Sequence, residues 1–345
     1  MLELCSPDAA FDRIEAYLRE RGFFAPGAES LVADLYLGYG LSEPLRRTSA
    51  SAPPDPCPLP LAAVAVRDTS QGLSLGHGSS GPVSIGHWER TWAESDYAEA
   101  VEAVREAIGR GDVYQVNLVQ HLSADFAGEP SALAARLSSF RPRVLTGRRW
   151  AIVSASPELF LSRRGSTVRT EPIKGTRPLG EHVDSEKDAA EHVMIVDLER
   201  NDLSRVCEPG SVRWPELMAE RELAGVVHLV STVEGTLREN TSLADLLGAT
   251  FPGGSVTGAP KIAALDEIAR LEPVGRGASM GALGVVRGNG DLELALTIRT
   301  FAVAGDTIHL WVGGGIVWDS EPDAEIEESW VKARPLLAAL GAAAG

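Results

Sequence analysis

The chain is short of positive charge. Thirty-two Lys and Arg face 48 Asp and Glu in 345 residues, a formal net charge of −16. It therefore lacks the basic field that sequence-independent nucleic-acid binding or an anionic membrane surface requires. Apolar runs are short too. None approaches the roughly 18–20 residues of a membrane span, and the start MLELCSPDAAFDRIEAYLRE carries acidic residues where a secretory leader needs an apolar core. The three cysteines (Cys5, Cys57, Cys207) are odd in number and far apart. That argues against a disulfide or zinc framework and for reduced thiols in a cytoplasmic protein. No HExxH, no metal-ligand spacing among the histidines and no internal repeat occur. Ser154, Ser156, Ser255 and Cys207 lack a nucleophile-elbow or Cys-His context, so hydrolase readings fall away. What remains, 44% apolar and 23% charged residues, is ordinary for a globular enzyme with ample area for a core.

The first 45 residues read as helical, with Ala10, Phe11, Ile14 and Leu18 at three-to-four spacing and Gly22 as a stop. Residues 48–58, rich in Ser and Pro, form a loop; a buried strand starts at Leu59; the Gly- and Ser-rich stretch 71–86 is an exposed turn region. SDYAEAVEAVREAIGRGDV is an amphipathic helix with Ser95 as a cap and an apolar stripe of Tyr97, Val101, Val104, Ala107 and Ile108. A strand, VYQVNLVQHLSADF, and a short helix, PSALAARLSSF, come next. WAIVSASPELFLSRRGSTVRTEPI reads as two strands turning near Arg163–Ser166. Helical SEKDAAEHVMIVDLERNDLSRV precedes two more strands, and SLADLLGATF and GAPKIAALDEIARLEPV are helices. Three strands follow between Ala282 and Asp319, with turns at Gly288–Gly290 and Gly305–Asp306, and the last helix starts at Glu321. Helices clustered between hairpin-connected strands make an α+β pattern, not a doubly wound sheet.

Several residues invite a chemical reading beside a plainer one. Glu325, Glu328 and Lys332 share one helix face, as an exposed Glu–Lys pair would; Asp188 and Glu191 repeat the three-residue offset on another helix. Two such acidic helices could hold one Mg²⁺ through oxygen ligands. Glu158 is either an edge carboxylate or a general acid raised by an apolar niche. Lys174 is either a solvent-facing strand residue or, removed from water, a nucleophilic amine. FPGGSVTGAPK (251–261) opens a helix and offers backbone N–H groups to an anion. It is neither a Walker A loop nor a Rossmann fingerprint. GGGIV (313–317) could add donors; for both glycine clusters the alternative is a tight turn. His228 sits in an apolar strand, where a hydrogen-bonded core role is the commoner one. Arg299, alternating in LALTIRTF, would be a costly buried charge unless it met an anion.

YQVNL, SASPELFL, PIKGTRP, AEHVMIVDLERNDLSRV, HLVSTVEG, FPGGSVTGAPK, TIRTF, GGGIVWDSEPDAEIEES and the trailing Lys332 occur together in the order seen in chorismate-utilising enzymes, which the chain resembles over roughly residues 92–340. The resemblance implies a single sandwich of two large, mainly antiparallel sheets flanked by helices. A shortened N-terminal region (1–91) would pack on the same sandwich as the catalytic part (92–345). It implies a dianionic substrate, chorismate, and Mg²⁺ held directly by Glu191 and Glu328 and through water by Asp188 and Glu325. Arg299 and Lys332 resemble the pair that takes the enolpyruvyl carboxylate. Glu158 resembles the acid that protonates the departing C4 hydroxyl, and His228 the histidine at the ring. Backbone near Gly254, Ser255, Thr257, Gly258, Gly313, Gly314 and Gly315, with Thr176 in PIKGT, would line the substrate.

Two positions select among subfamilies. Water-adding members carry Lys where this chain has Gln115, and Gln is no general base near neutral pH. Lys174 stands where anthranilate synthases have Ala and resembles the lysine of aminodeoxychorismate synthases, enzymes of para-aminobenzoate and folate formation. The implied reaction is amination of chorismate at C4, with ammonia from a separate glutamine amidotransferase, since no Cys-His-Glu glutaminase set is present. Anthranilate or aminodeoxyisochorismate synthesis, and a non-catalytic chorismate-binding role, are the rivals. Ser279 and Val285 depart from the aromatic residues often found there, and with only about 90 residues before the shared region no tryptophan regulatory pocket is expected.

Overall fold

Alternating and fully apolar strands dominate the computed structural model, which describes residues 1–71, 81–178, 186–223 and 226–341. In chain order the elements are β1 (Leu2–Leu4), α1 (Ala10–Glu20), β2 (Leu31–Leu37), β3 (Ala62–Asp68), β4 (Ser84–Ile85), β5 (Glu89–Arg90) and α2 (Glu94–Arg110). Next come β6 (Gln115–Ala127), α3 (Pro130–Arg136), β7 (Arg143–Thr146), β8 (Trp150–Ser154), β9 (Leu159–Arg164), β10 (Thr167–Glu171), β11 (Ile173–Pro178) and α4 (Glu186–Ser204). The remainder is β12 (Arg213–Leu223), β13 (Val226–Thr236), α5 (Leu243–Thr250), β14 (Gly258–Ala259), α6 (Lys261–Leu271), β15 (Ala282–Arg287), β16 (Leu292–Leu296), β17 (Thr300–Ala304), β18 (Thr307–Ile316) and α7 (Pro322–Ala339).

Among the described residues the strands form two sheets. A ten-stranded one runs β1-β3-β2-β15-β16-β9-β10-β13-β11, with β12 on β13; an eight-stranded one runs β14-β6-β18-β17-β8-β7, with β4 and β5 on β6. Every pairing is antiparallel, so the α+β sandwich expected from the sequence is the fold found. Two apolar clusters flank the eight-stranded sheet. One includes Val116, Leu118, Tyr97, Phe160 and Leu294; the other includes Leu122, Val153, Leu310 and Leu336 under α3 and α7. With both faces of the sheet covered, the first eight residues of β6, Gln115–Leu122, are all buried, the polar Gln115, Asn117, Gln120 and His121 among them. α2 buries Tyr97, Ala100, Val101, Val104 and Ala107, its N-terminal amide at Ala93 is capped by Asp96 rather than by Ser95, and Gly111 ends it at φ 81°.

Three expectations are corrected. The first 45 residues are not helical throughout: α1 is an α-helix and Tyr39–Leu45 a 3₁₀ helix, but Leu31–Leu37 is a strand laid between β3 and β15. Residues 150–173 contain three strands, because the chain leaves one sheet after Ser154 and enters the other at Leu159. Residues 282–316 contain four strands: the two hairpins turn where expected, but 297–299 cross between the sheets and interrupt the alternation. Part of the stretch read as an exposed turn, 72–80, lies outside the described residues.

Candidate active site

The two crossings lie side by side. Ser154 pairs with Thr300 and Leu159 with Ala295, and between them Ala155 N donates to Arg299 O at 3.0 Å and Leu296 N to Glu158 O at 3.0 Å. Glu158 and Arg299 thus project from adjacent irregular links between the sheets. Arg299 adopts φ 49°, a left-handed conformation that a non-glycine residue holds only where its surroundings fix it. Each charged group sits in the field of the other. Burial pushes the Glu158 carboxyl up from its ordinary value, against a 2.7 Å hydrogen bond from Ser255 Oγ, the charges of Lys174 and Arg299, and a 3.4 Å contact from Ile173 N. Burial lowers the Arg299 guanidinium, opposed by Glu158.

Lys174 reaches the same place from β11. Its register against β13 shifts between Lys174 and Thr176, at Gly175 with φ 62°, a bulge that re-aims the strand. Lys174 Nζ lies 3.9 Å from Glu191 Oε2 on α4, with both side chains mostly buried. His228 on β13 is 1% exposed and its Nδ1 faces Gly175 O at 3.1 Å. Burial and Arg299 keep its imidazole below the ordinary value, partly offset by that carbonyl. The Thr176 and Asp188 side chains fall outside the described residues.

A second group of the candidate residues lies on β18 and α7. The ladder of β18 with β17 stops at Leu310, whereas its ladder with β6 runs on to Ile316. Past Leu310, then, the β17-side edge of β18 is covered by no described strand. Of the three glycines there, Gly313 is required by close packing against backbone. A Cβ on Gly313 would stand 1.9 Å from Leu118 O, and one on Gly315 2.0 Å from Gln115 Nε2. Over Gly314, Glu328 Oε1 (3.3 Å), Glu325 Oε2 (3.4 Å) and Lys332 Nζ (3.4 Å) converge on the position a Cβ would take. Lys332 also donates to Gly313 O at 2.9 Å and pairs with Glu328 at 2.7 Å; Ser320 donates to Glu325 at 2.6 Å. Gln115 is fully buried, and neither its amide oxygen nor its nitrogen has a hydrogen-bond partner among the described residues.

The turn from 253 to 258 differs from the anion cradle read from its glycines. It is a short 3₁₀ turn at Gly254–Val256 followed by β14, and α6 begins only at Lys261. The Gly254 N–H is taken by Glu199 at 3.0 Å, and Thr257 Oγ1 donates to Gly253 O at 2.9 Å. Ser255, expected as a backbone donor, contributes its hydroxyl to Glu158. Ser279 is buried, donating to Thr297 O at 3.3 Å. Sequence reasoning passed over Glu199, Asp202, Lys261, Glu272 and Arg276, all of them in this substructure. The signal for the first two was present: ERND continues the helix that carries Glu191, and Glu199 stands two turns beyond it.

The donor chemistry of Glu191, Glu325 and Glu328, carboxylate oxygen only, fits a hard divalent cation. Two of these carboxylates meet over one glycine. Among the described residues no three His, Cys, Asp or Glu side chains are close enough to enclose an ion.

Comparison with known proteins meets this geometry from another side. The sequence pattern of the chorismate binding enzymes matches residues 46–338. The chain belongs to that family. The match starts well before residue 92, where the resemblance of motifs begins. The chain is 40% identical over 297 residues to an anthranilate synthase component 1 of Streptomyces coelicolor (81% of this chain, 57% of that protein). It is 38% identical over 274 residues to an aminodeoxychorismate synthase component 1 of Bacillus subtilis (75% and 58%). It thus spans little more than half the length of these relatives. The crystal structure of anthranilate synthase component I from Streptococcus pneumoniae superposes with a TM-score of 0.78 at 26% identity, covering 93% of this chain and 84% of that one. As in those chorismate binding enzymes, the fold is built of two sheets with helices; none of its described helices is long and apolar enough to cross a membrane.

Proposed function

We propose that this chorismate binding chain is an aminodeoxychorismate synthase component, converting chorismate and ammonia to 4-amino-4-deoxychorismate. The observation that carries this is the position of Lys174: a mostly buried ammonium 3.9 Å from Glu191 and close enough to Glu158 to weigh on its charge. The amine, its ammonium proton having passed to water, attacks C2 of the ring and sheds a further N–H proton to water as the N–C bond forms. The ring double bond shifts, the C4–O bond breaks, and Glu158 gives its proton to the leaving hydroxyl. A carboxyl raised by burial is suited to that step because it holds its proton to a higher pH than an exposed carboxyl does. Ammonia then attacks C4, the double bond shifts back, and the C2–N bond breaks, the lysine amine leaving with the proton that the ammonia nitrogen gives up. Arg299 and Lys332 meet the enolpyruvyl carboxylate, and the neutral His228 borders the ring. Gln115, which has no basic nitrogen, cannot activate water. Mg²⁺, held by Glu191 and Glu328 with Glu325 and Asp188 in support, would neutralise the ring carboxylate and draw electron density from the ring.

Ammonia would come from a glutamine amidotransferase partner, as the printed name "component 1" of the relatives suggests, in the cytoplasm. Anthranilate synthesis is the second reading, because relatives of that name reach the same identity. Product identification decides. With chorismate, Mg²⁺ and ammonium, the purified chain should give a non-fluorescent product that becomes 4-aminobenzoate only after a lyase is added. Lys174→Ala should lose or divert that product. Fluorescent anthranilate from the wild type, or full activity in Lys174→Ala, sinks the assignment.

A further inference from the structure

Beneath the 250–261 segment lies a buried charged cluster to which the reaction above gives no part. Glu199 (4% exposed) and Asp202 (3%) stand one turn apart on α4. Lys261 Nζ pairs with Asp202 at 2.5 Å and donates to Thr250 O at 3.1 Å. Lys261 and Thr250 bracket the whole turn, so Lys261, anchored by Asp202, clamps its two ends. Glu199 holds the middle. Its Oε1 accepts the Gly254 N–H at 3.0 Å, and a Cβ on Gly254 would fall 2.6 Å from Leu198 and 3.1 Å from that same oxygen, so only glycine brings the amide this close. One residue on, Ser255 Oγ donates to Glu158 at 2.7 Å.

We propose that Glu199 is a positioning residue: through the Gly254 amide it sets the turn that aims Ser255 at Glu158, and so fixes the orientation and proton affinity of the general acid. The inference rests on the role proposed for Glu158, but the geometry it uses does not involve chorismate. Glu199 faces Asp202 from its own helix, Lys261 from α6 and Glu158 from the crossing before β9; Arg205 faces Asp202. Burial first and Asp202 second push the Glu199 carboxyl up, toward the neutral form. A neutral carboxylic acid still offers a carbonyl oxygen to Gly254 N–H while adding no charge beside Glu158. The side-chain amide of glutamine does the same.

The test is the titration of Glu158 in the whole, unliganded chain, read as the carboxyl band that Glu158→Gln removes from the infrared difference spectrum. Ser255 bonds the charged form, so losing it raises the value. Glu199→Ala should move Glu158 upward by about one pH unit, and Glu199→Gln should leave it near the wild-type value. In a Ser255→Ala background, which shows the rise by itself, Glu199→Ala should add nothing. An unchanged titration in Glu199→Ala, a Gln variant as perturbed as Ala, or additive effects with Ser255→Ala would each overturn the proposal. If Glu199→Ala does not fold, Glu199→Asp, which withdraws the oxygen from Gly254, carries the same expectation. A chain that shows this pattern yet forms no product from chorismate keeps the positioning role and loses the synthase reading.

Discussion

The most demanding prediction concerns Arg276 and Glu272, a pair 1% and 2% exposed in the middle of the fold. Arg276 gives Glu272 two hydrogen bonds, Nε at 2.9 Å and Nη2 at 2.7 Å, and spends its other donors on Val256 O (2.8 Å) and Asn117 O (2.6 Å). Glu272 also accepts from Val119 N at 3.1 Å. The pair thus ties the 253–258 turn to β6. Glu272→Gln keeps shape and an acceptor for Val119 but strands a guanidinium that cannot shed its proton. An uncompensated buried charge of this kind costs about 3–5 kcal/mol. With an unfolding entropy of about 2.1 cal/mol/K per residue, a chain of this length should melt roughly 4–7 °C lower. Arg276→Met behaves differently, because the stranded group is then a carboxyl that burial already pushes up and that can take a proton. Its folded-state value rises further, so the variant binds a proton on folding and loses stability as pH rises. Its cost should be larger at pH 8 than at pH 5, while that of Glu272→Gln should be nearly flat over the same range. Urea unfolding followed by tryptophan fluorescence at both pH values reads this directly, and added salt should change little at so buried a pair. A cost below about 1 kcal/mol for Glu272→Gln, or a pH-independent Arg276→Met, would refute the reasoning.

Burial holds His121 at about 3 and His309 at about 4, hydrogen-bonded to each other at 3.1 Å. Both values are depressed, so stability should fall as pH drops from about 6.5, the unfolded value, toward 4; His309→Gln should flatten that slope in denaturation midpoints between pH 7 and 5. Gly313→Ala, whose Cβ would strike backbone at 1.9 Å, should be far more destabilising than Gly315→Ala, whose Cβ meets only the movable Gln115 amide. Soluble expression and melting temperature separate them, and equal effects would count against the packing argument. Chorismate affinity by calorimetry should drop steeply when Mg²⁺ is chelated, and Glu328→Gln should weaken that dependence.

How much of this was legible in the sequence varied with the range of the forces involved. Hairpins announced by Asn289-Gly290 and Gly305-Asp306, and helices with an apolar stripe such as α2, came out correctly because their signals are local. β2 did not: Leu31–Leu37 is buried on both faces between β3 and β15, and a short apolar run without polar alternation is ambiguous by period alone. The crossings at 155–158 and 297–299 were read straight through as strand because the change of sheet is decided by partners more than a hundred residues away. Glu158, Lys174, His228 and Arg299 could be chosen by motif, but their convergence could not. The Glu199–Asp202–Lys261 cluster was overlooked because its carboxylates, in a helix rich in charge, look like a solvated face until the burial is known.

The placement of Glu158 and Arg299 also bears on how an acidic chain would present a site for the dianion of the proposed reaction. Neither lies inside a strand, where a charged side chain would have to share a packed face; both occupy links between sheets, where irregular backbone leaves room and where Lys174 arrives by way of a bulge. Across the two groups of candidate residues the cations Lys174, Arg299 and Lys332 number three, against carboxylates at Glu158, Glu191, Glu325 and Glu328. Of these four, Glu158 is shifted toward its neutral form, Glu191 lies 3.9 Å from Lys174 and Glu328 pairs with Lys332. The site is therefore close to balanced, and two further negative charges would leave it in deficit. In the proposed reading, a divalent cation held by Glu191 and Glu328 would compete with both lysines for these carboxylates, making Lys174 available to the ring and Lys332 to the substrate. A metal held by these carboxylates would thus release two amines that the protein otherwise neutralises itself.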